Sequence, residues 1–268
     1  MQETEEKGAK MLTIERQDEI MEILNQKKSA TVEELAKELF VSEATIRRDL
    51  KAMEKIGLLR RSHGGAALFK STAEESAFAM REQEHTVEKR LIANMALQFI
   101  KNSSCIFMDS SSTTGMIIPL LERFKYLSVI TTGLRNAIML SQTSNARIHI
   151  AGGTVQNHSN SILGIETLEY ISRVHADVAL LSCTGIDLES GITDASIEQA
   201  KVKQQMTKNA KTVLLLCDHS KFGKTFMCTD FSFGEVDYLI TDKTPPAEYV
   251  EAFTSAGCKI ITPDGIIE

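Results

Sequence analysis

The 268-residue sequence contains no Cys-x-x-Cys pair, no apolar run approaching a membrane span and no surplus of positive charge, and each absence excludes a class of function. The five cysteines, Cys105, Cys183, Cys217, Cys228 and Cys258, are widely scattered, which disfavours a zinc site or a disulfide framework. Most of them sit in apolar runs and read as small buried hydrophobes. A membrane helix needs roughly 20 consecutive apolar residues, and no stretch comes near that. Residues 1–10 are polar and charged, unlike a signal peptide, so the expected location is the cytoplasm. The formal charge is −6, so any surface for nucleic acid has to be local. No internal repeat or long low-complexity segment is present.

What is present is enough apolar material, 43%, and enough length for two domains. Residues 1–10 lack an apolar period and read as a disordered tail. Residues 11–69 read as a helical unit, 70–86 as a linker rich in Ser, Thr and Glu, and 87–268 as an α/β unit. In the first unit, Ile14, Ile20, Met21, Ile23 and Leu24 mark a one-sided helix ending by Lys28, and a turn is expected at Ser29-Ala30. Thr31-Val-Glu-Glu34 has capping-box spacing and should start a second helix that runs to about Leu39. Ser42 offers an N-cap for a third helix, on which Ile46, Leu50, Met53 and Ile56 align one apolar face before Gly57 stops it.

Helix, short turn and a second helix with polar residues near its start is the layout of a helix-turn-helix. With the apolar face turned inward, Thr45, Arg47, Arg48 and Lys51 face outward or flank the seam as donors to phosphates and guanine edges, Arg48 being the best candidate for reading a base. From Arg47 to Arg61, six basic residues (Arg47, Arg48, Lys51, Lys55, Arg60, Arg61) stand against two acidic ones (Asp49, Glu54), opposing the global sign. Leu58–Ala67 then reads as a β-hairpin wing along the DNA backbone, with Arg60, Arg61 and His63 as phosphate contacts. Thr31 and Ser42, at the two helix starts, complete the candidate DNA-contact set. His63 has no neighbouring residue at ligand spacing, so no metal site is expected there.

Beyond residue 86 the pattern changes. Cys105–Met108, Leu127–Ile130, Arg147–Ile150, Val178–Leu181 and Val213–Leu216 read as buried strands, separated by helical patterns at Val87–Lys101, Leu134–Gln142 and Ser196–Ala210. Such alternation argues for a parallel or mixed sheet covered on both faces. Asp109-Ser-Ser-Ser-Thr-Thr-Gly115 follows a strand and precedes a helical stretch, so its hydroxyls and amides can ring a phosphate. Asp218-His-Ser-Lys-Phe-Gly223 also follows a strand and brings the cation Lys221 to the same kind of position. Lys203 is a second candidate cation, and Gly152, Gly153 and Gly185 either let backbone approach a ligand or simply permit turns.

Phe40-Val-Ser-Glu-Ala-Thr-Ile-Arg-Arg-Asp-Leu-Lys51, with Gly57-Leu-Leu-Arg-Arg and Ser62-His-Gly-Gly-Ala66 after it, resembles the winged helix-turn-helix signature of the DeoR family of bacterial sugar-metabolism repressors. Glu15–Ile20 resembles the family's first helix, and the likeness extends over residues 11–243. It implies a C-terminal Rossmann-like domain related to ribose-phosphate isomerases and coenzyme A transferases. It also implies an effector site made of Asp109, Ser110, Ser111, Ser112, Thr113 and Thr114 as the phosphate loop, the Gly152-Gly153 pair, Gly185 and Asp187, and Asp218, Ser220 and Lys221 as an Asp-x-Ser-Lys motif. Ser111 stands where the family often has glycine and Thr132-Gly133 where it often has Thr-Asn, so the particular sugar is not implied.

The expectation is therefore a transcription repressor that takes double-stranded operator DNA and a phosphorylated sugar, binds repeated half-sites as a homo-oligomer (dimer or tetramer), and uses no cofactor, metal or catalytic residue. A sugar-phosphate isomerase would need a carboxylate base beside the substrate. Only one acid remains around Ser182–Asp187, and an appended DNA reader has no role in isomerisation. A DNA-binding protein with a purely structural C-terminal assembly domain would bind no ligand at all.

Overall fold

The computed structural model describes residues 12–55, 58–62, 64–67 and 77–268. The expected tail at 1–10, the helix stop at Gly57, His63 and the Ser/Glu-rich part of the linker lie outside the described residues. The chain divides into two compact units, Met1–Met80 and Arg81–Glu268.

In the first unit, α1 (Thr13–Lys27) ends at Lys28 in the left-handed conformation, φ 68°. The capping box at the start of α2 (Val32–Glu38) forms as the spacing predicts: Glu34 N–H donates to Thr31 Oγ1 at 3.1 Å, and Thr31 N–H to Glu34 Oε2 at 2.7 Å. The start of α3 (Glu43–Lys55) is held by Thr45 N–H donating to Ser42 Oγ at 3.1 Å. Ile20, Leu24, Leu35, Ile46, Leu50 and Met53 close one core among the three helices. The turn expected at Ser29-Ala30 is instead a strand, β1 (Ser29–Thr31), on the hairpin of β2 (Arg60–Ser62) and β3 (Gly65–Ala67), in the order β1-β3-β2. Ala30 is buried opposite Ala66, and Gly65 permits the approach, since a Cβ there would lie 2.9 Å from Thr31 Cα. Short small-residue segments give no alternation to read, which hides this strand in the sequence.

The segment expected as linker contains a helix, α4 (Phe78–Gln83), in which Phe78 and Met80 are buried. In the second unit α5 (Thr86–Ala96) is followed by β4 (Cys105–Met108), β5 (Ser128–Thr131), β6 (Arg147–Ile150), β9 (Ala176–Leu181), β12 (Ala210–Leu216), β14 (Tyr238–Ile240), β15 (Lys259–Thr262) and β16 (Gly265–Ile267). These eight strands form one sheet in the order β16-β15-β14-β12-β9-β4-β5-β6, parallel except for β16. The order reverses between β4 and β9, the switch point of a doubly wound fold, outside whose carboxyl ends ligands collect. Alternate residues serve opposite faces: Ile106 and Met108 join α5 in one core, while Phe107 joins the helix Ile197–Lys208 in the other. A small antiparallel sheet, β10 (Gly185–Asp187), β11 (Gly191–Asp194) and β13 (Cys228–Phe231), and a two-stranded one, β7 (Thr154–Gln156) and β8 (Ser161–Leu163), complete the unit.

Candidate functional site

On α3, Arg47, Arg48 and Lys51 are exposed and Thr45 is half-buried, so the outward face is the basic one the spacing implies. Arg47 pairs with Glu43 one turn earlier at 2.6 Å, whereas among the described residues Arg48 and Lys51 form no ion pair. Asp49 belongs elsewhere: it is buried and takes the Arg16 guanidinium of α1 through two contacts, Nε to Oδ2 at 2.5 Å and Nη2 to Oδ1 at 3.2 Å. The sequence count set Asp49 against the basic residues, but this pair removes its charge from the outward face. Arg60 and Arg61 are exposed on the wing, and Glu54 of α3 accepts the Arg61 N–H at 3.0 Å, tying wing to helix. Thr31 and Ser42 are exposed, with their side chains engaged in capping.

In the second unit the loop after β4 is organised by Asp109, which is buried. Its Oδ1 accepts from Ser111 N–H at 2.9 Å and from the Thr114 hydroxyl at 2.8 Å, and its Oδ2 accepts from Ser182 N–H at 2.8 Å across the switch point. Ser111 caps the short helix Ser112–Gly115, Ser110 bonds Ser161 at 2.9 Å, and Thr113 is buried. After β12, Asp218 accepts from Ser220 N–H at 2.9 Å, which shapes the 3-10 turn His219–Lys221. Its Oδ2 is buried with no hydrogen-bond partner among the described residues. Burial works against the Asp218 charge, yet the Lys221 ammonium, the hydrogen bonds from Ser220 and the field of His85 together outweigh it and hold this carboxyl below the usual range.

Lys203 is not an open cation. Its buried ammonium donates to Asp194 and to Ser182 O (2.6 Å), with Asp230 at 3.7 Å and Asp109 at 3.8 Å. Burial opposes its charge, but Asp194, Asp230 and Asp109 together keep it protonated above the ordinary lysine range. Burial and the Asp194 charge push Asp230 well above the ordinary carboxyl value, against the opposing pull of Lys203. The acid density around Ser182 is thus higher than the local sequence suggests, because Asp194 and Asp230 arrive from strands β11 and β13. Gly153 serves packing, since a Cβ there would collide with Thr167 and Leu163, whereas a Cβ on Gly152 would meet nothing within 4 Å and its carbonyl accepts from Thr167 at 2.7 Å. A Cβ on Gly185 would meet Lys224 backbone, and Asp187 closes the β10–β11 turn by accepting from Ser190 N–H at 2.8 Å.

Four residues that the sequence reading passed over, Glu88, Lys89, His219 and Asp242, lie near the same strand ends. Lys89, on the first turns of α5, is buried and donates to Arg81 O and to Ser112 Oγ (3.1 Å). His219 receives both oxygens of Asp242: its N–H donates to Oδ1 at 2.7 Å and its ring Nδ1 lies 2.7 Å from Oδ2. Glu88, His219 and Asp242 bring one ligand atom each within 4.8 Å of one another, but His219 already occupies both Asp242 oxygens, an arrangement that fixes the 3-10 turn. The signal for Lys89 was a lysine in phase with the apolar residues Ile92, Ala93 and Ala96 of its helix.

No helix among the described residues is long and apolar enough to cross a membrane. The chain is 35% identical over 250 residues to the HTH-type transcriptional regulator GolR of Listeria innocua, covering 93% of this chain and 98% of that protein. It is 32% identical over 244 residues to the glycerol-3-phosphate regulon repressor of Escherichia coli K12, covering 91% and 96%. A D-ribose-5-phosphate isomerase structure superposes with a TM-score of 0.38 at 18% identity, over 50% of this chain and 52% of that one, a distance at which no chemistry transfers. The DeoR-like helix-turn-helix domain matches residues 16–72 and the DeoR C terminal sensor domain residues 84–243. A basic helix face in one unit, a doubly wound sheet in the other and relatives that match nearly end to end place this chain in the DeoR family of transcription regulators.

Proposed function

We propose that this protein represses a sugar-metabolism operon and is released or modulated by a phosphorylated sugar bound in its C-terminal domain. Arg48 reads a base, Arg47, Lys51, Arg60 and Arg61 hold phosphates, and a homo-oligomer presents two or more such heads to repeated half-sites. The observation that carries the DNA half is the outward face of α3, where Arg48 and Lys51 stand exposed without a carboxylate partner among the described residues while Asp49 is withdrawn to Arg16. For the effector half, the hydroxyl-bearing loop 109–114 and the turn 218–221 both stand at the carboxyl ends of parallel strands, and Asp218 Oδ2 is an open acceptor suited to a sugar hydroxyl. A domain organisation of 11–69 for DNA, 70–86 for coupling and 87–268 for sensing follows this division of labour, and the site of action is the cytoplasm.

The test is a melting-temperature panel of sugar phosphates followed by operator titration with the best stabiliser, because a ligand bound only by the native state must stabilise it. A ligand that raises the melting temperature and changes operator affinity supports the reading. A protein that binds operator but is indifferent to every sugar phosphate has an assembly domain instead.

A further inference from the structure

Two of the five cysteines meet at the carboxyl ends of adjacent strands. β9 and β12 run parallel with Leu181 opposite Leu215, and two residues further, in the same register, Cys183 stands opposite Cys217. Both thiols point to the same side of the sheet. Ala179, Leu181 and Cys183 join Val213, Leu215 and Cys217 in one core, while Leu180, Leu214 and Leu216 between them serve the other. Both are free thiols, Cys183 6% exposed and Cys217 fully buried. Burial, and then a hydrogen bond to the Cys183 sulfur, push the Cys217 thiol well up, so Cys217 is the donor and keeps its proton. The other three, Cys105, Cys228 and Cys258, have no cysteine among the groups that act on them. Neighbouring strands lie about 4.8 Å apart, inside the roughly 4.4–6.8 Å between Cα atoms that a disulfide spans.

We propose that Cys183 and Cys217 form a reversible disulfide when the protein meets a hydroperoxide, and that this bond alters ligand binding at the strand ends. In the first step the sulfur of Cys183, the less buried of the two, attacks a peroxide oxygen. The O–O bond breaks and the leaving oxygen takes the thiol proton, giving a sulfenic acid and water or an alcohol. In the second step the Cys217 sulfur attacks the sulfenyl sulfur, the S–O bond breaks, and hydroxide leaves with the Cys217 proton as water. The thiols together lose two electrons and two protons, which the peroxide gains. A bond at this place is of the labile kind. Its Cβ atoms have to come to about 3.8 Å, closer than the about 4.8 Å at which the ladder holds the strands, and a strained disulfide is more easily reduced. Where thiols are kept reduced, such bonds serve as transient sensors rather than as staples. The bond also pulls on particular neighbours. Ser182, next to Cys183, donates its N–H to Asp109 at 2.8 Å and accepts from Lys203 at 2.6 Å, and Asp218, next to Cys217, starts the turn that carries Lys221. Closing the two strand ends therefore displaces two segments at once. The coupling to ligand rests on the reading of this domain as a sugar-phosphate sensor, whereas the bond itself does not.

The experiment treats the reduced full chain with hydrogen peroxide, blocks the remaining thiols under denaturing conditions and maps the peptides by mass spectrometry. Wild type, Cys183→Ser, Cys217→Ser and, as control, Cys228→Ser are compared. Wild type and Cys228→Ser are expected to yield a linked Cys183–Cys217 peptide pair, lighter by two hydrogens, that dithiothreitol separates. Cys217→Ser should instead take a sulfenic-acid label at Cys183, and Cys183→Ser should give no linked pair. If both thiols of the folded wild type remain open to blocking after the less buried Cys228 has been oxidised, the disulfide is overturned. Should the serine variants at 183 and 217 fail to fold, the maps of wild type and Cys228→Ser decide alone. For the coupling, the sugar phosphate that most raises the melting temperature of reduced wild type is added to the oxidised protein. A melting shift smaller by about twofold or more, regained with dithiothreitol, supports the coupling. An unchanged shift overturns it and leaves the bond and the sensor reading standing. A reduced wild type indifferent to every sugar phosphate overturns the sensor reading and the coupling with it, while the peptide map still decides the bond.

Discussion

Replacing Asp49 with alanine removes one half of the buried pair that joins α1 to α3, without touching any residue of the outward face. The Arg16 guanidinium, 9% exposed, is then left in the core of the small unit with its main counter-charge gone. Breaking a buried pair from one side typically costs about 3–5 kcal/mol. A domain of roughly 60 residues holds only about 3–9 kcal/mol in total, so the single change takes a large share of it. The DNA-binding unit of Asp49→Ala is expected to melt at a much lower temperature, and operator affinity to drop through loss of the folded head. The double replacement Arg16→Met with Asp49→Leu exchanges the pair for apolar groups of similar volume, which is often neutral or stabilising. It should restore both the melting transition and operator binding to near wild type. Differential scanning calorimetry and fluorescence anisotropy, using an operator fragment selected from random DNA with the wild-type protein, measure the two. An Asp49→Ala protein that melts with wild type would refute the structural role, and a refolded double variant still unable to bind DNA would mean that Asp49 acts at the DNA itself.

Three further outcomes follow from the same geometry. Arg48→Ala is expected to weaken operator binding by about 1–3 kcal/mol and to relax specificity, whereas Arg60→Ala weakens operator and random DNA alike; unchanged affinity in both at matched salt would remove the winged-helix assignment. Lys221→Ala should abolish the effector response while leaving effector-free DNA binding nearly unchanged, and a variant that still responds at wild-type effector concentrations takes Lys221 out of the site. For Lys89, whose folded pKa of about 8 lies below the 10.5 of the free side chain, the stability penalty is full below pH 8 and vanishes above 10.5. The effector-free melting advantage of Lys89→Met over wild type should therefore shrink across that window by an amount approaching about 3 kcal/mol, and a pH-independent difference contradicts the burial argument.

The sequence displays those parts of the fold whose signal is local. Capping at Thr31 and Ser42, the inward phase of Ile46, Leu50 and Met53, and the buried strand at Cys105–Met108 are each written in a few neighbouring residues, and the structure places them there, whereas Arg147–Ile150, expected as a buried strand, forms the edge of the sheet with Arg147 and Ile150 exposed. It hides what depends on long-range pairing. β1 has three small or polar residues and exists because β3 lies beside it, and the helix at Phe78–Gln83 is too short to show a period. The same limit governs the site. Asp109, Asp218 and Lys221 stand in runs that carry their own motif, whereas Asp194 and Asp230 meet Lys203 only after two strands and a helix have folded. Lys203 looked like an open cation for that reason: solvation is the default for a helical lysine, and nothing within its own helix reveals three acids arriving from elsewhere. Asp49 was readable in principle, since an acid three residues after Ile46 falls on the inward face and requires a partner.

The Lys203 ammonium joins four stretches of chain that are distant in sequence: the end of β4 at Asp109, the end of β9 at Ser182, and Asp194 and Asp230 on the small antiparallel sheet. In evolutionary terms this is a lock with few single-step exits. Losing the lysine strands three acids in the interior, and losing one acid upsets the charge balance around the buried ammonium. Either route passes through a destabilised intermediate, so the four positions are expected to vary as a set, with compensating replacements appearing together rather than one by one. The Ser111 hydroxyl, by contrast, is held only within its own loop, by Thr114 three residues on, so this position can change without a compensating replacement elsewhere in the chain.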